Sequence, residues 1–186
     1  MKIRITESQY RLIKEILENK GYYRAVTEYL GKNIIFEPTG YYESFDDEGN
    51  PKFMTGDVMA RSNIPEVAAS KNIGGALLGV WSMLMHYGGD KNGVKIYIYS
   101  INETPDKDLS HIRYGDFEYL KEVRYKKAVK GNYIGYFIID KKFNEYAENF
   151  YNRINGDPWD EFTDEEIDMY DEFEKFLEDI NINDLK

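Results

Sequence analysis

A chain of 186 residues is long enough for one domain with a real hydrophobic core, and its 42% hydrophobic and 31% charged residues place it among globular rather than disordered proteins. The absence of cysteine excludes disulfides, thiolate metal sites and cysteine nucleophiles. The formal charge of -10 is unevenly placed: residues 157–186 hold 13 acidic residues against only Lys175 and Lys186, which leaves the rest of the chain close to neutral.

The N-terminal stretch opens on Thr6-Glu7-Ser8-Gln9, the pattern of a capping box, with Ile5 and Tyr10 at the hydrophobic-staple positions. Leu12, Ile13, Ile16 and Leu17 continue an apolar helical stripe that Gly21 ends. Tyr22 to Leu30 reads as a second short helix closed by Gly31. Asn33-Ile34-Ile35-Phe36-Glu37 reads as a strand broken by Pro38-Thr39-Gly40, and Tyr41 to Pro51 as a loop or hairpin. Glu66 to Ser70 is a short strand after Pro65, and Asn72 caps a helix over Ile73 to Met85 whose apolar circumference marks it as the central buried one. Val94 to Ser100 is the strongest strand, rich in β-branched and aromatic residues.

Glu122-Val123-Arg124-Tyr125-Lys126 alternates charged with apolar residues, as a half-exposed strand does. Lys130-Gly131-Asn132 then reads as a turn into Tyr133 to Ile139, which makes the two strands a hairpin. A helix over Lys141 to Ile154 follows. After Gly156-Asp157-Pro158 comes a second capping box, Thr163-Asp164-Glu165-Glu166, with Phe162 and Ile167 as its staple. Ile167, Tyr170, Phe173, Leu177 and Ile180 share one face of this acidic helix, which should therefore dock rather than dangle.

The fold class expected is α+β: a small split or mixed β-sheet core with a buried central helix, flanked by N-terminal and acidic C-terminal amphipathic helices. Residues 1–31 form an N-terminal helical segment, 32–140 the α+β core, and 141–186 the C-terminal helices, acidic from 157. The longest apolar run, Ala76 to Val80, is too short to span a bilayer, and charge at Met1 to Glu7 stands where a secretory signal needs an apolar stretch. A soluble protein is expected, cytosolic or packed in a particle made in a cytosol.

Few residues offer chemistry. His86 and His111 lack zinc-ligand spacing, and Asp46-Asp47-Glu48-Gly49-Asn50 follows a solvated turn rather than the EF-hand pattern, so no metal is expected. Gly74-Gly75 stands at a helix start, where backbone amides meet anions, but without a phosphate-loop lysine it reads as a close-packing device. Ser70 lies between a strand and the buried helix with no base nearby in sequence. Lys121 to Lys130, with Tyr125 inside it, reads as an exposed sheet face rather than a nucleic-acid surface. The carboxylates of the acidic helix leave open a nucleic-acid mimic that competes for basic clefts.

A short strand ending in Ser, a buried helix, a central strand, and a later strand opening on Glu form an order that resembles the small split-sheet core of ADP-ribosyltransferases, including degenerate members found in phage genomes. The segments that carry the resemblance are Ile34 to Gly40, Ala69-Ser70-Lys71, and Glu122 to Gly131. It implies NAD as cofactor, Glu122 as the carboxylate that stabilises an oxocarbenium-like transition state, and Ser70 as support of the NAD cleft. It also places Thr39 and Gly40 at the cofactor. An Arg or His is expected on the first strand, where Phe36-Glu37 stands, with Arg61 as the spatial substitute. Leu120 stands where members that modify protein arginine carry Glu or Gln. Read from the residues alone, Glu122 is an exposed strand carboxylate paired with Arg124 or Lys126. The expected partner is a protein, from the host or from a phage assembly, in which case the chain is an accessory or structural subunit. Direct nucleic-acid binding and membrane association are not expected.

Overall fold

The computed structural model describes residues 21–38, 40–45, 51–55, 65–85, 91–109, 120–154 and 164–186. The N-terminal helix, its capping box, and the staple and cap around Thr163 lie outside the described residues, as do the side chains of Ile167 and Tyr170. The fold is α+β. Its strands are β1 (Tyr22–Val26), β2 (Asn33–Phe36), β3 (Gly40–Phe45), β4 (Pro51–Thr55), β5 (Val67–Ser70), β6 (Lys95–Ile101), β7 (Lys107–Asp108), β8 (Glu122–Tyr125) and β9 (Val129–Ile138). Its helices are α1 (Ile73–Met85), α2 (Lys141–Ile154) and α3 (Asp164–Asp179), and a 3-10 turn covers Ile182–Asp184.

Seven strands form one sheet in the order β2-β9-β6-β1-β5-β8-β7, and every described pairing in it is antiparallel. β3 and β4 make a separate hairpin.

Tyr22 to Val26 is therefore a strand and not the start of a helix, and it lies at the middle of the sheet. Two tyrosines and a valine in five residues favour the pleated state, and pairing with β6 at five successive positions outweighs the weak local helical pattern. The core sheet accordingly begins at Tyr22 rather than at Lys32.

β1 and β5, by contrast, are joined by one register pair, Tyr23 with Ser70. The sheet is thus two halves, β2-β9-β6-β1 and β5-β8-β7, that meet at one bridge and diverge beyond it.

Three further features differ from the expectation. β8 does not form a hairpin with β9: it lies between β5 and β7, while β9 lies between β2 and β6. Nor is β8 half exposed, since all four of its residues are buried. Burial of Glu122 and Arg124 is possible because each finds an opposite charge within the sheet. Lys130-Gly131-Asn132 is not a turn but lies inside β9, where a side chain on Gly131 would strike the ring of Phe36.

α1 lies on one face of the sheet, with Trp81, Leu77 and Leu78 buried against Ile96 and Ile98 of β6. Its start is capped by Asn72, whose Oδ1 accepts from the Gly75 amide at 2.7 Å. Trp81 donates its indole N–H to Asn144 of α2 at 2.9 Å, which satisfies a polar atom that burial would otherwise penalise.

The acidic helix docks, as its apolar face requires: Phe173, Leu177 and Ile180 are buried in this core, and Tyr146 of α2 stacks on Phe173 and Phe176. The opposite face of the sheet carries a second apolar cluster that includes Val67, Tyr99, Ile101, Val123 and Tyr125.

The approach of α3 to α1 is closest at Gly74, where a Cβ would collide with the backbone of Leu177. Backbone cannot rotate aside as a side chain can. Gly74→Ala should therefore lower stability by about 2 kcal/mol, against a small gain in helix propensity, as read by urea unfolding.

Burial raises the pKa of the Tyr125 hydroxyl above the ordinary tyrosine value, with the neighbouring Tyr22 and Glu103 adding in the same direction. A raised native value means the neutral phenol is favoured by folding. That contribution is full below about pH 10 and is lost as pH rises from there toward the native value. Urea midpoints measured from pH 8 to pH 11.5 should fall above pH 10, and less steeply in Tyr125→Phe.

Candidate functional site

The divergence of β1 from β5 creates the site. Beyond the Tyr23–Ser70 bridge the two strands no longer share a ladder, so backbone groups along the gap need other partners. One is found on β1 itself: Arg24 donates through Nη1 to the carbonyl of Ala68 at 2.5 Å. Its guanidinium also lies over the ring of Phe36, 5.1 Å from the centroid. Arg24 therefore spans the fork between the half-sheets.

A cavity of about 240 Å³ occupies this fork. Tyr23 and Arg24 of β1, Ser70 of β5, Leu120, and Glu122 of β8 line it from the sheet side. α1 closes it with Gly75, Ala76 and Gly79. The small residues allow the helix to lie this close: a Cβ on Gly75 would strike the Leu120 carbonyl and the Ser70 hydroxyl. The Gly74-Gly75 pair is thus a packing device on both sides, toward α3 and toward the cavity.

Ser70 and Glu122 are direct cross-strand partners in the register of β5 and β8. The Ser70 hydroxyl is buried and committed, since it donates to the Leu120 carbonyl at 2.5 Å and accepts from the Asn72 amide at 3.2 Å. The neighbouring amide of Lys71 donates to the Lys121 carbonyl at 3.0 Å. Lys121 itself is held at φ 48, in the left-handed region that side chains other than glycine rarely adopt. Its ammonium reaches Glu174 of α3 at 2.6 Å. These contacts pin the turn that delivers Glu122 to the cavity, and a strained residue held this firmly is characteristic of functional sites.

Glu122 is buried, with its Oε1 accepting from Arg124 Nε at 2.5 Å. Arg124 Nη1 in turn lies 3.2 Å from Glu66 Oε2, and Glu66 Oε1 lies 2.6 Å from Lys107 Nζ. The expected pairing with Arg124 is present, then, but in the interior rather than at the surface. Three of these four groups are nearly inaccessible, and only Lys107 reaches water. Such a network has no large net stabilising effect, because desolvation offsets most of its Coulomb attraction. Its consequence is geometric: it fixes where the carboxylate of Glu122 stands.

Arg61 and Thr39 lie outside the described residues. Gly40 opens β3 in the separate hairpin and is not among the described residues lining the cavity. Arg24 is the residue that sequence reasoning missed. Its signal was the run Tyr22-Tyr23-Arg24-Ala25-Val26-Thr27, dense in strand formers. Among the described residues no group of three or more His, Cys, Asp or Glu is placed to hold a metal ion, and no helix is long and apolar enough to cross a membrane. No protein-family model, curated protein or solved structure matches the chain.

Because the Ser70 hydroxyl donates to the carbonyl of Leu120, Ser70→Ala should leave that buried carbonyl without this donor. The cost should be about 1–3 kcal/mol in urea unfolding, whatever ligand the cavity takes.

Proposed function

We propose that the chain is an ADP-ribosyltransferase-like domain that takes NAD into the fork of its sheet. The observation that carries this reading is the juxtaposition of Arg24, Ser70 and Glu122 on three laterally adjacent strands, β1, β5 and β8, around one cavity. An ADP-ribosyltransferase-like core calls for an arginine or histidine on the first strand, a serine on a later strand and a glutamate opening a third. With β1 recognised as the first strand, Arg24 fills the role for which Phe36-Glu37 had no candidate. On this reading Arg61 is not needed as a substitute.

The chemistry follows from the residue types. The bond between nicotinamide and the ribose C1′ breaks with its electron pair leaving on nicotinamide, positive charge develops on C1′ and the ring oxygen, and a nucleophilic atom of the acceptor bonds to C1′ and releases its proton to solvent. A carboxylate fixed beside that charge lowers the barrier, which is the role of Glu122. Arg24 offers a planar, permanently charged donor set suited to a pyrophosphate. Ser70 acts through the backbone it braces rather than as a nucleophile. Leu120, two residues before Glu122 and buried at the cavity, offers nothing to orient a guanidinium. The acceptor is accordingly not a protein arginine.

Calorimetric titration with NAD, together with an assay for released nicotinamide, tests the reading. Binding should be seen at up to millimolar NAD and should weaken at least about tenfold in Arg24→Met. Glu122→Gln should lower turnover by about 100-fold or more while binding persists. Binding without turnover in the wild type would make the domain a degenerate, ligand-binding member. No heat at millimolar NAD would remove the reading.

A second reading, as a non-enzymatic accessory subunit that binds a protein, is favoured by one observation. Tyr29, Leu30 and Ile35 are exposed large hydrophobic residues around β2, which stands at the edge of the sheet. An Ile35→Lys variant that loses a co-purifying partner while retaining NAD binding would support it.

A further inference from the structure

The ion chain behind Glu122 extends well past the cavity and is not explained by binding a ligand. Lys107, Glu66, Arg124 and Glu122 alternate in sign from the surface inward, each within 3.2 Å of the next. They come from three adjacent strands or their immediate ends: Lys107 from β7, Arg124 and Glu122 from β8, and Glu66 from the residue preceding β5. We infer that this chain is a positioning device, in which Arg124 sets the carboxylate of Glu122, and Glu66 and Lys107 set Arg124. The catalytic meaning of that carboxylate rests on the NAD reading above, whereas the positioning does not.

Arg124 is shared between two carboxylates, bonded to Glu122 through Nε and to Glu66 through Nη1. Each carboxylate therefore competes for the same guanidinium. Lys107 draws on Glu66 from the far side and so reduces Glu66's hold on Arg124. In an interior shielded from water these couplings are not damped as they would be at the surface.

Among the described residues, other charged or titratable groups around the site are few. Tyr23 faces it from β1, Arg24 lines it with its guanidinium held over the Phe36 ring, Asp108 of β7 is paired with Lys71, and Lys121 is paired with Glu174 of α3. α1 carries no charged residue.

An alternating chain has a signature that simple packing lacks: neutralising successive members moves the end group in opposite directions. Glu66→Gln removes a competitor for Arg124, so the carboxylate of Glu122 is better stabilised and titrates lower. Lys107→Met frees Glu66 to compete harder, so Glu122 titrates higher. Shifts of about half a pH unit each way are expected, the scale of a charge one or two links removed from a direct partner.

The measurement is the side-chain carboxyl carbon resonance of Glu122 in protein labelled at glutamate, assigned by its absence in Glu122→Gln and followed with pH in the full chain. Both probing variants lie away from the cavity lining, and Lys107 is partly exposed, so the test does not depend on an Arg124 variant that fails to fold. Nicotinamide release and NAD affinity are measured on the same proteins. Changes in turnover that follow the sign of the Glu122 shift, with NAD affinity unmoved, are the expected result. Equal or same-sign shifts of Glu122 in the two variants would overturn the positioning chain even if NAD is bound and cleaved. Opposite shifts in a protein that binds no NAD would sustain the chain and remove the NAD reading alone.

Discussion

The bridge between Tyr23 and Ser70 is the point on which the architecture turns. On one side of it β1 follows β6 over its whole length, and on the other β5 follows β8 over its whole length. The two half-sheets share one register pair and then part. A sheet paired throughout would have used the Ala68 carbonyl in a ladder and left no interior space. Because it parts, the carbonyl is met by the guanidinium of Arg24, and a cavity opens that a helix must roof. The glycines of α1 are what a helix needs to lie across such a gap without filling it.

The acidic helix enters the same construction from outside. Its apolar face fastens it to α1 at Leu177 and Gly74, while Glu174 reaches the ammonium of Lys121. Lys121 is the strained residue immediately before Glu122. A segment that looks, by composition, like a detached negative tail therefore contributes to holding the turn that begins β8. Its remaining described carboxylates Asp171, Glu172, Glu178 and Asp179 face solvent, as charges on a docked helix do.

Much of this was legible where a pattern is local. Ile73 to Met85 could be bounded by its capping Asn72, and Lys141 to Ile154 by the Gly156-Asp157-Pro158 break that follows it in sequence. Val94 to Ser100 announced itself by β-branched and aromatic density. The differences between pattern and structure share a cause: each concerns a choice that the rest of the fold makes. Tyr22 to Val26, set between Gly21 and Gly31, supports a short helix or a strand, and only the presence of β5 and β6 on either side decides it. Lys130-Gly131-Asn132 has turn composition, yet the glycine serves the close approach of Phe36. Pairing β8 with β9 followed the usual preference for neighbours in sequence, whereas β9 crosses to the other half of the sheet. Arg24 cannot be singled out locally because it sits on the ambiguous strand over Tyr22 to Val26.

The same limit explains why the alternation in Glu122-Val123-Arg124-Tyr125 pointed outward. Period-two alternation of charged and apolar residues separates two faces of a strand, but it does not say that the charged face is wet. Residues two apart on a strand share a face, so Glu122 and Arg124 are brought together by the strand itself and can enter the interior as a pair. Glu66 then meets that pair from the residue preceding β5, and Lys107 closes the chain at the surface. What sequence presents as a solvated stripe becomes, once β5 and β7 flank it, a line of alternating charges ending at the cavity. Its placement there is hard to account for by stability alone, since apolar residues of the same volume would serve the core at least as well.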